Sequence, residues 1–242
     1  MNSKAEKARR PRIGTSGRGG DYKGKPKEFR VIEPQEVARM LKCAAIMAEG
    51  KTSREWMLVY LGWITGAKLK ELVSIPIGRV SFHYHEIRPG TKEDRVPIEL
   101  TEKSIKPLGR YFDQFKLAKD SPSQFERTQY KLFNLLAYNP TPKTVYYADK
   151  GKTDRTSSLR WAQEAFKKLL RGAQIDKPYS VSSLRNLFRQ TMGEVTGAYP
   201  ALVDYVSGND RYQHAFDANR TLAFRRRAAE HFERVLRQVE VI

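Results

Sequence analysis

The sequence predicts a mainly α protein with a small antiparallel β-sheet, an α+β arrangement. Apolar residues recur at three- and four-residue spacing through most of the chain beyond Phe29, which is the signature of amphipathic helices. The longest stretch that alternates instead is Val80–Leu100, divided by Pro89-Gly90, which predicts two strands around a turn. A hydrophobic fraction of 40% and three Trp in 242 residues supply enough apolar surface for one sizeable core.

The first helix opens at Pro34, a residue favoured in a first turn, and buries Val37, Met40, Leu41 and Ala44. The second covers Arg54–Ile64. It is apolar on most sides, with Trp56, Met57, Val59, Tyr60 and Trp63, and is therefore expected at the centre. Gly66 breaks it and another helix starts at once. In that turn, Glu71 stands three residues from Lys68, close enough to orient its ammonium. The strand pair follows, with Arg88, Lys92 and Arg95 at its tip and flank. His83 and His85 alternate along the first strand without a third ligand, so they read as edge residues and no metal site is expected.

Residues 101–117 return to helix, and Ser121–Asn139 is polar and gives no periodic signal. Thr144-Val-Tyr-Tyr is a candidate short strand, and Asp149–Ser157 a basic flexible loop. Leu159–Leu170 is an amphipathic helix stopped near Gly172. The next helix opens at Ser180 or Ser182, either of which can cap it. Pro200-Ala-Leu-Val-Asp-Tyr-Val is a short helix ended by Gly208. Asn219–Val241 is a long terminal helix with Leu222, Ala229, Phe232, Leu236 and Val239 along its seam and Arg225, Arg226 and Arg227 near its start. There is no internal repeat.

Charge narrows the partner. Lys and Arg total 45 against 27 acids, a formal charge of +18 with a pI near 10.0. Such an excess favours a polyanion, most often nucleic acid. Residues 1–30 carry +7 of it in a Gly-rich segment with little to bury, including Arg9, Arg10 and Arg12. This segment divides from the domain at 31–242 and is expected to be disordered when free. Both a DNA-binding arm and a solubilising tail fit it. The remaining +11 lies in the body. Cys43 is the single cysteine, so no internal disulfide forms. No run of apolar residues has membrane-spanning length and the basic N-terminus lacks a leader's apolar core. The expected location is intracellular, and nucleoid-associated cytoplasm in a prokaryote.

One stretch carries chemistry. Ser182, Arg185 and Arg189 fall at i, i+3 and i+7, one polar stripe on a helix whose other side holds Leu184, Leu187, Phe188 and Met192. A hydroxyl and two guanidinium groups on one edge suit a phosphodiester, since Arg offers parallel donors to phosphate oxygens.

Five segments in order resemble the catalytic domain of the tyrosine recombinases, the phage integrase and Xer-type family. Glu33-Pro-Gln-Glu-Val-Ala-Arg-Met-Leu resembles its opening helix. Thr65-Gly-Ala-Lys68-Leu-Lys70-Glu71-Leu resembles its Thr-Gly-x-Arg-x-x-Glu-Leu box. Lys92-Glu-Asp-Arg-Val-Pro-Ile resembles the hairpin that bears a catalytic lysine, a place that Arg88 or Lys92 can fill. Ser182-Ser183-Leu184-Arg185 stands where the family has His-x-x-Arg. Leu202–Asn209 stands where it has a helix ending in Leu-Gly-His.

The departures carry as much as the match. The resemblance implies two arginines on the scissile phosphate, and the first is Lys68 here, which keeps the charge and loses the fork. Arg185 retains the second. The family's histidines become Ser182 and Asn209, neither of which is an acid or base near neutral pH. The nucleophilic tyrosine is expected near Ala218, and Ala215-Phe-Asp-Ala-Asn-Arg220 contains none. Tyr212 is nearest and would need a reshaped loop. The resemblance implies a preceding helical domain of about a hundred residues, and in this sequence the basic segment is expected to stand in its place.

The expectation is thus a catalytically inactive, recombinase-like protein without cofactor that binds double-stranded DNA. Its contacts would come from Lys68, Lys70, Arg88, Lys92, Arg95, Ser182, Ser183, Arg185, Arg189 and the arm. It would serve site targeting or architecture for a mobile element, alongside transposition or recombination machinery. Two other readings are an active strand transferase that uses Tyr212 and an RNA-binding ribonucleoprotein component. In the family the last helix often docks on a neighbour, so residues 219–242 are expected either to mediate self-association or to pack on their own core.

Overall fold

The computed structural model describes residues 31–89, 96–114, 132–133, 152–195, 202–203, 206 and 218–241, with backbone alone for 152–158 and 218–221. The basic segment 1–30, Lys92 and Arg95, the polar stretch 121–139 apart from Leu132 and Phe133, the candidate strand at Thr144, Asn209 and Tyr212 all lie outside the described residues.

Helix α1 spans Pro34–Met47. Pro34 occupies its first turn, and the Glu36 carboxylate accepts the Glu33 N–H at 3.1 Å, closing the N-terminus. Helix α2, Arg54–Thr65, starts where the Ser53 hydroxyl accepts the Trp56 N–H at 3.1 Å and ends at Gly66, whose φ of 55° is left-handed. Every residue from Met57 to Thr65 is buried, so the expected central helix is central. It packs against α1, the short α3 (Leu69–Leu72), α4 (Glu102–Gln114), α5 (Lys152–Gly172) and α6 (Val181–Gly193). The buried Tyr60 hydroxyl donates to the Ser104 carbonyl at 2.5 Å, which ties α2 to α4. Such a tie satisfies two polar groups that burial would otherwise penalise.

Among the described residues the sheet has three strands, not two. β1 (Val80–Ser81), β2 (Glu86–Ile87) and β3 (Ile98–Glu99) pair antiparallel in that order, with Val80 opposite Ile87 and Ile87 opposite Ile98. Ile87 stands in the middle strand, completely buried. Pro89 follows β2, and the connection from there to β3, where the sequence suggests a turn, lies outside the described residues. His83 and His85, expected on a strand, instead lie in the Phe82–His85 turn that joins β1 to β2. His85 has a φ of 50°, a left-handed conformation that a strand cannot hold. Among the described residues no group of His, Cys, Asp or Glu could hold a metal, and no helix is long and apolar enough to cross a membrane.

α5 begins at Lys152, so the part of 149–157 that is described is helical where a loop was expected. Its polar residues conceal a segment free of Gly and Pro between Gly151 and Gly172, and nothing there breaks a helix that is anchored further on. Leu202, Val203 and Val206, from the expected short helix, are helical and buried. Helix α7, Ala218–Gln238, closes the chain. Phe224, Ala228, Phe232 and Leu236 sink into the common core. Of the two roles open to residues 219–242, packing on their own core is what these side chains do.

Candidate nucleic-acid interface

The turn at Gly66 and helix α6 are brought together by two close approaches. A Cβ on Gly62 would fall 2.7 Å from Leu184 Cδ1, and one on Gly66 would overlap the Phe188 ring. Both pairs step by one helical turn, so α2 and α6 run alongside each other in fixed register. Lys68 follows Gly66 by two residues and Arg189 follows Phe188 by one. At about 3.5 Å per residue, the backbones of Lys68 and Arg189 cannot lie far apart.

Lys68 is exposed and starts α3. The Glu71 carboxylate accepts the Lys68 backbone N–H at 3.0 Å, so this glutamate shapes the turn through the main chain. Below it, the buried Thr65 hydroxyl donates to the Leu61 carbonyl at 2.6 Å and accepts the Ala67 N–H at 3.3 Å. Lys68 thus stands in a turn whose backbone is held on several sides, and Lys70 is exposed in the helix that follows.

On α6 the stripe emerges as the spacing required. Ser182 and Arg189 are exposed and Arg185 half-buried, while Leu184, Leu187, Phe188 and Met192 are buried. Ser180 is the N-cap residue, and the Ser182 hydroxyl lies 2.6 Å from the Ser180 hydroxyl. Ser183 does not join the stripe. It is buried and its hydroxyl accepts the Ser180 N–H at 3.2 Å, so it serves the cap. Adjacent residues on a helix stand about 100° apart, which turns Ser183 inward once Ser182 faces out.

Arg88 follows β2. Its N–H donates to the Arg79 carbonyl at 2.9 Å, and its guanidinium meets Glu86 at 3.1 Å. A half-exposed pair of this kind is worth roughly 0 to 1 kcal/mol, so it does not withhold Arg88 from a phosphate.

Two further clusters escaped the sequence reading. Arg225 of α7 donates to the Pro97 carbonyl at 3.2 Å and pairs with Glu99 at 3.6 Å. This fastens the base of the β2–β3 connection to α7, whose Phe232 stacks on Phe188 with ring centroids 5.5 Å apart. Phe188 therefore touches both Gly66 and α7. A signal was available: Arg225 precedes Ala228, Ala229, Phe232 and Leu236 by three, four, seven and eleven residues, which puts it on the buried seam.

The second cluster is Glu36, Tyr179 and Lys177. The Tyr179 hydroxyl donates to the Glu36 carboxylate at 2.8 Å and lies 3.3 Å from the Val31 carbonyl. The Lys177 ammonium is 3.1 Å from the other Glu36 oxygen. Burial pushes the Glu36 carboxyl upward, but the Glu33 N–H, Tyr179 and Lys177 outweigh it and hold the group below its ordinary range. Burial, and then the bond to Glu36, pushes the Tyr179 hydroxyl up.

No family model matches the chain, and no curated protein matches it. Among solved structures it is similar to one described as the crystal structure of XerA recombinase. The two are 19% identical with a TM-score of 0.50, over 86% of this chain and 64% of that one. The chain thus spans less than two thirds of that protein's length. At this identity the likeness is one of fold. The helices gathered on α2 and the small three-stranded antiparallel sheet have a fold similar to that of a tyrosine recombinase.

Proposed function

We propose that this chain is a catalytically inactive relative of the tyrosine recombinases that holds double-stranded DNA by its phosphate backbone. The observation that supports the reading is the fixed register of Gly66 against Phe188, which ties the turn before Lys68 to the helix that bears Ser182, Arg185 and Arg189. Positive groups held in place can grip a phosphodiester. Chemistry would need more. A phosphotyrosyl intermediate requires a nucleophile and an acid or base beside it. The sequence offers Ser182 and Asn209 at the positions that resemble the family's histidines, and no tyrosine in Ala215–Arg220. Lys70, Arg88, Lys92, Arg95 and the arm with Arg9, Arg10 and Arg12 extend the same contact. A former recombinase that keeps the grip and has lost the cut suits site targeting or nucleoprotein architecture for a mobile element. Transposition or recombination proteins are its natural partners.

The test has two arms. Duplex binding is titrated against salt, with RNA of equal length as competitor. The protein is then incubated with a nicked suicide duplex and denatured. The reading expects affinity that falls steeply with salt, a preference for duplex DNA and no covalent adduct. An adduct that disappears in Tyr212→Phe would establish strand transfer instead, and a preference for RNA would move the protein to ribonucleoprotein work.

A further inference from the structure

The register of the sheet sets two carboxylates face to face: across β2 and β3, Glu86 stands opposite Glu99. Directly opposed residues have Cβ atoms about 5 Å apart on one side of a sheet, where like charges destabilise. Both side chains are largely buried, 17% and 18% exposed, so water and salt screen the repulsion only in part. Each acid has its own cation. Arg88, two residues beyond Glu86, meets it at 3.1 Å through a single guanidinium nitrogen, which leaves most of its N–H donors for another acceptor. Arg225 of α7 meets Glu99 at 3.6 Å, and the exposed Arg226 lies 4.0 Å from the same carboxylate. Packing alone does not explain Arg225. It is 14% exposed, and its Nε–H is buried without a partner among the described residues. An unpaired buried donor costs stability, and an apolar side chain of similar volume in place of a buried ion is often neutral or better. Charge is what such a side chain would not supply.

We infer that Arg225 is a positioning residue for the DNA contact: by neutralising Glu99 it leaves Arg88 one carboxylate to balance instead of two, so that Arg88 can meet a phosphate. The inference rests on the DNA-binding reading and gives α7 a part in it. One weak pair with Glu86 leaves Arg88 available. Without Arg225, two facing carboxylates draw on the same guanidinium, and a phosphate that approaches it also meets their joint negative charge. Attraction and repulsion over these few ångströms are stronger at partly buried groups than in open water. Arg225, largely buried, acts through Glu99 and Glu86 and does not itself touch the phosphate.

A double-mutant cycle tests this, with wild type, Arg225→Met, Arg88→Ala and the combination titrated on one duplex at fixed salt. Urea unfolding is run on each, so that only folded protein is compared. Arg225→Met should weaken binding about fivefold in the wild-type background and by less than about twofold in the Arg88→Ala background. Adding Glu99→Gln to Arg225→Met removes the uncompensated charge and should restore affinity to within about twofold of wild type. Arg226→Gln changes an exposed side chain and gives a variant that leaves the core alone. It should lose about threefold, again only with Arg88 in place. Equal losses from Arg225→Met in both backgrounds would make Arg225 a structural residue and overturn the inference. So would a loss that Glu99→Gln does not restore, or no loss in either background. Should Arg225→Met fail to fold, Arg226→Gln decides: no loss, or a loss that persists with Arg88→Ala, overturns the inference. If wild type binds duplex and Arg88→Ala binds as tightly, the DNA reading stands and the route through Arg88 falls. A wild type that shows no salt-dependent duplex binding removes the DNA reading itself, and this inference with it.

Discussion

Gly66 and Phe188 touch so closely that no side chain fits between them: a Cβ on Gly66 would overlap the aromatic ring. Gly66 also holds a φ of 55°, which L residues with a Cβ adopt only under strain. Gly66→Ala is therefore expected to lose about 3 kcal/mol or more, from the left-handed backbone and the overpacked ring together. A lowered urea midpoint with unchanged slope would bear this out. Duplex binding by the folded fraction should drop as well, because the turn carrying Lys68 must move.

Gly62 makes the contrasting case. A Cβ there would meet Leu184 Cδ1 at 2.7 Å, the far end of a flexible side chain, and Gly62 sits mid-helix with ordinary φ. Ala in place of Gly gains about 1 kcal/mol of helix propensity, which offsets part of the crowding. Gly62→Ala should change stability by about 1 kcal/mol or less, and Leu184→Ala on top of it should relieve the clash without restoring the packing. A loss at Gly62 as large as that at Gly66 would contradict this ordering.

The contrast explains what could be read from the chain. Gly66 was legible as a helix break because the constraint is local, and the outward stripe of α6 because a period of about 3.6 residues is enough to place it. The partners were not legible. Phe188 lies far along the chain from Gly66, and Tyr179 is 143 residues from Glu36. No local pattern encodes such a contact. Ser183 was grouped with Ser182 because they are neighbours in sequence, yet the helix turns them to different sides. His83 and His85 showed the alternation of a strand but form its turn. Arg225, Arg226 and Arg227 stand together near the start of the last helix, but three consecutive helical residues cannot share a face, and Arg225 turns to Pro97 and Glu99. The helical start of α5 was hidden by polar residues, which packing further along the helix overrides.

The last helix is expected to be structural. Phe232 is 4% exposed, stacks on Phe188 and lies beside Leu236 in the core. Phe232→Ala should cost about 3 to 4 kcal/mol. Ending the chain at Asn219 should leave a protein that fails to unfold cooperatively. If the shortened chain instead keeps a sharp transition and changes only its stoichiometry on DNA, the helix acts between subunits.

Glu36 gives the fold an acid-sensitive joint. Its carboxyl, with an ordinary value of 4.5, is held lower in the folded chain. A depressed folded value means the stabilisation is fully present above about pH 4.5 and fades as pH falls through the lower folded value. Glu36→Gln should cost about 1 to 2 kcal/mol at neutral pH, where the charged bonds are lost. It should also flatten the stability curve below pH 4.5, so that mutant and wild type converge in acid. Curves that stay parallel down to pH 3 would place the titrating group elsewhere.

Lys68 tests whether the site holds a phosphate at all. An ammonium acts as a point charge, whereas a guanidinium offers two parallel donors matched to phosphate oxygens. If the Lys68 turn faces a phosphodiester, Lys68→Arg keeps or raises duplex affinity, and Lys68→Ala lowers it. Loss of one phosphate contact should also reduce the slope of log affinity against log salt by about 0.9, independently of DNA sequence. If Arg189 meets the same backbone, Arg189→Ala should produce the same slope change, since it stands exposed on the helix whose Phe188 packs on Gly66. The two substitutions combined should lower the slope by about 1.8 if each residue meets its own phosphate. A combined change no larger than either single one would mean that both residues share one phosphate, the arrangement expected of a clamp. An unchanged slope in all three proteins would mean that this face does not meet the backbone.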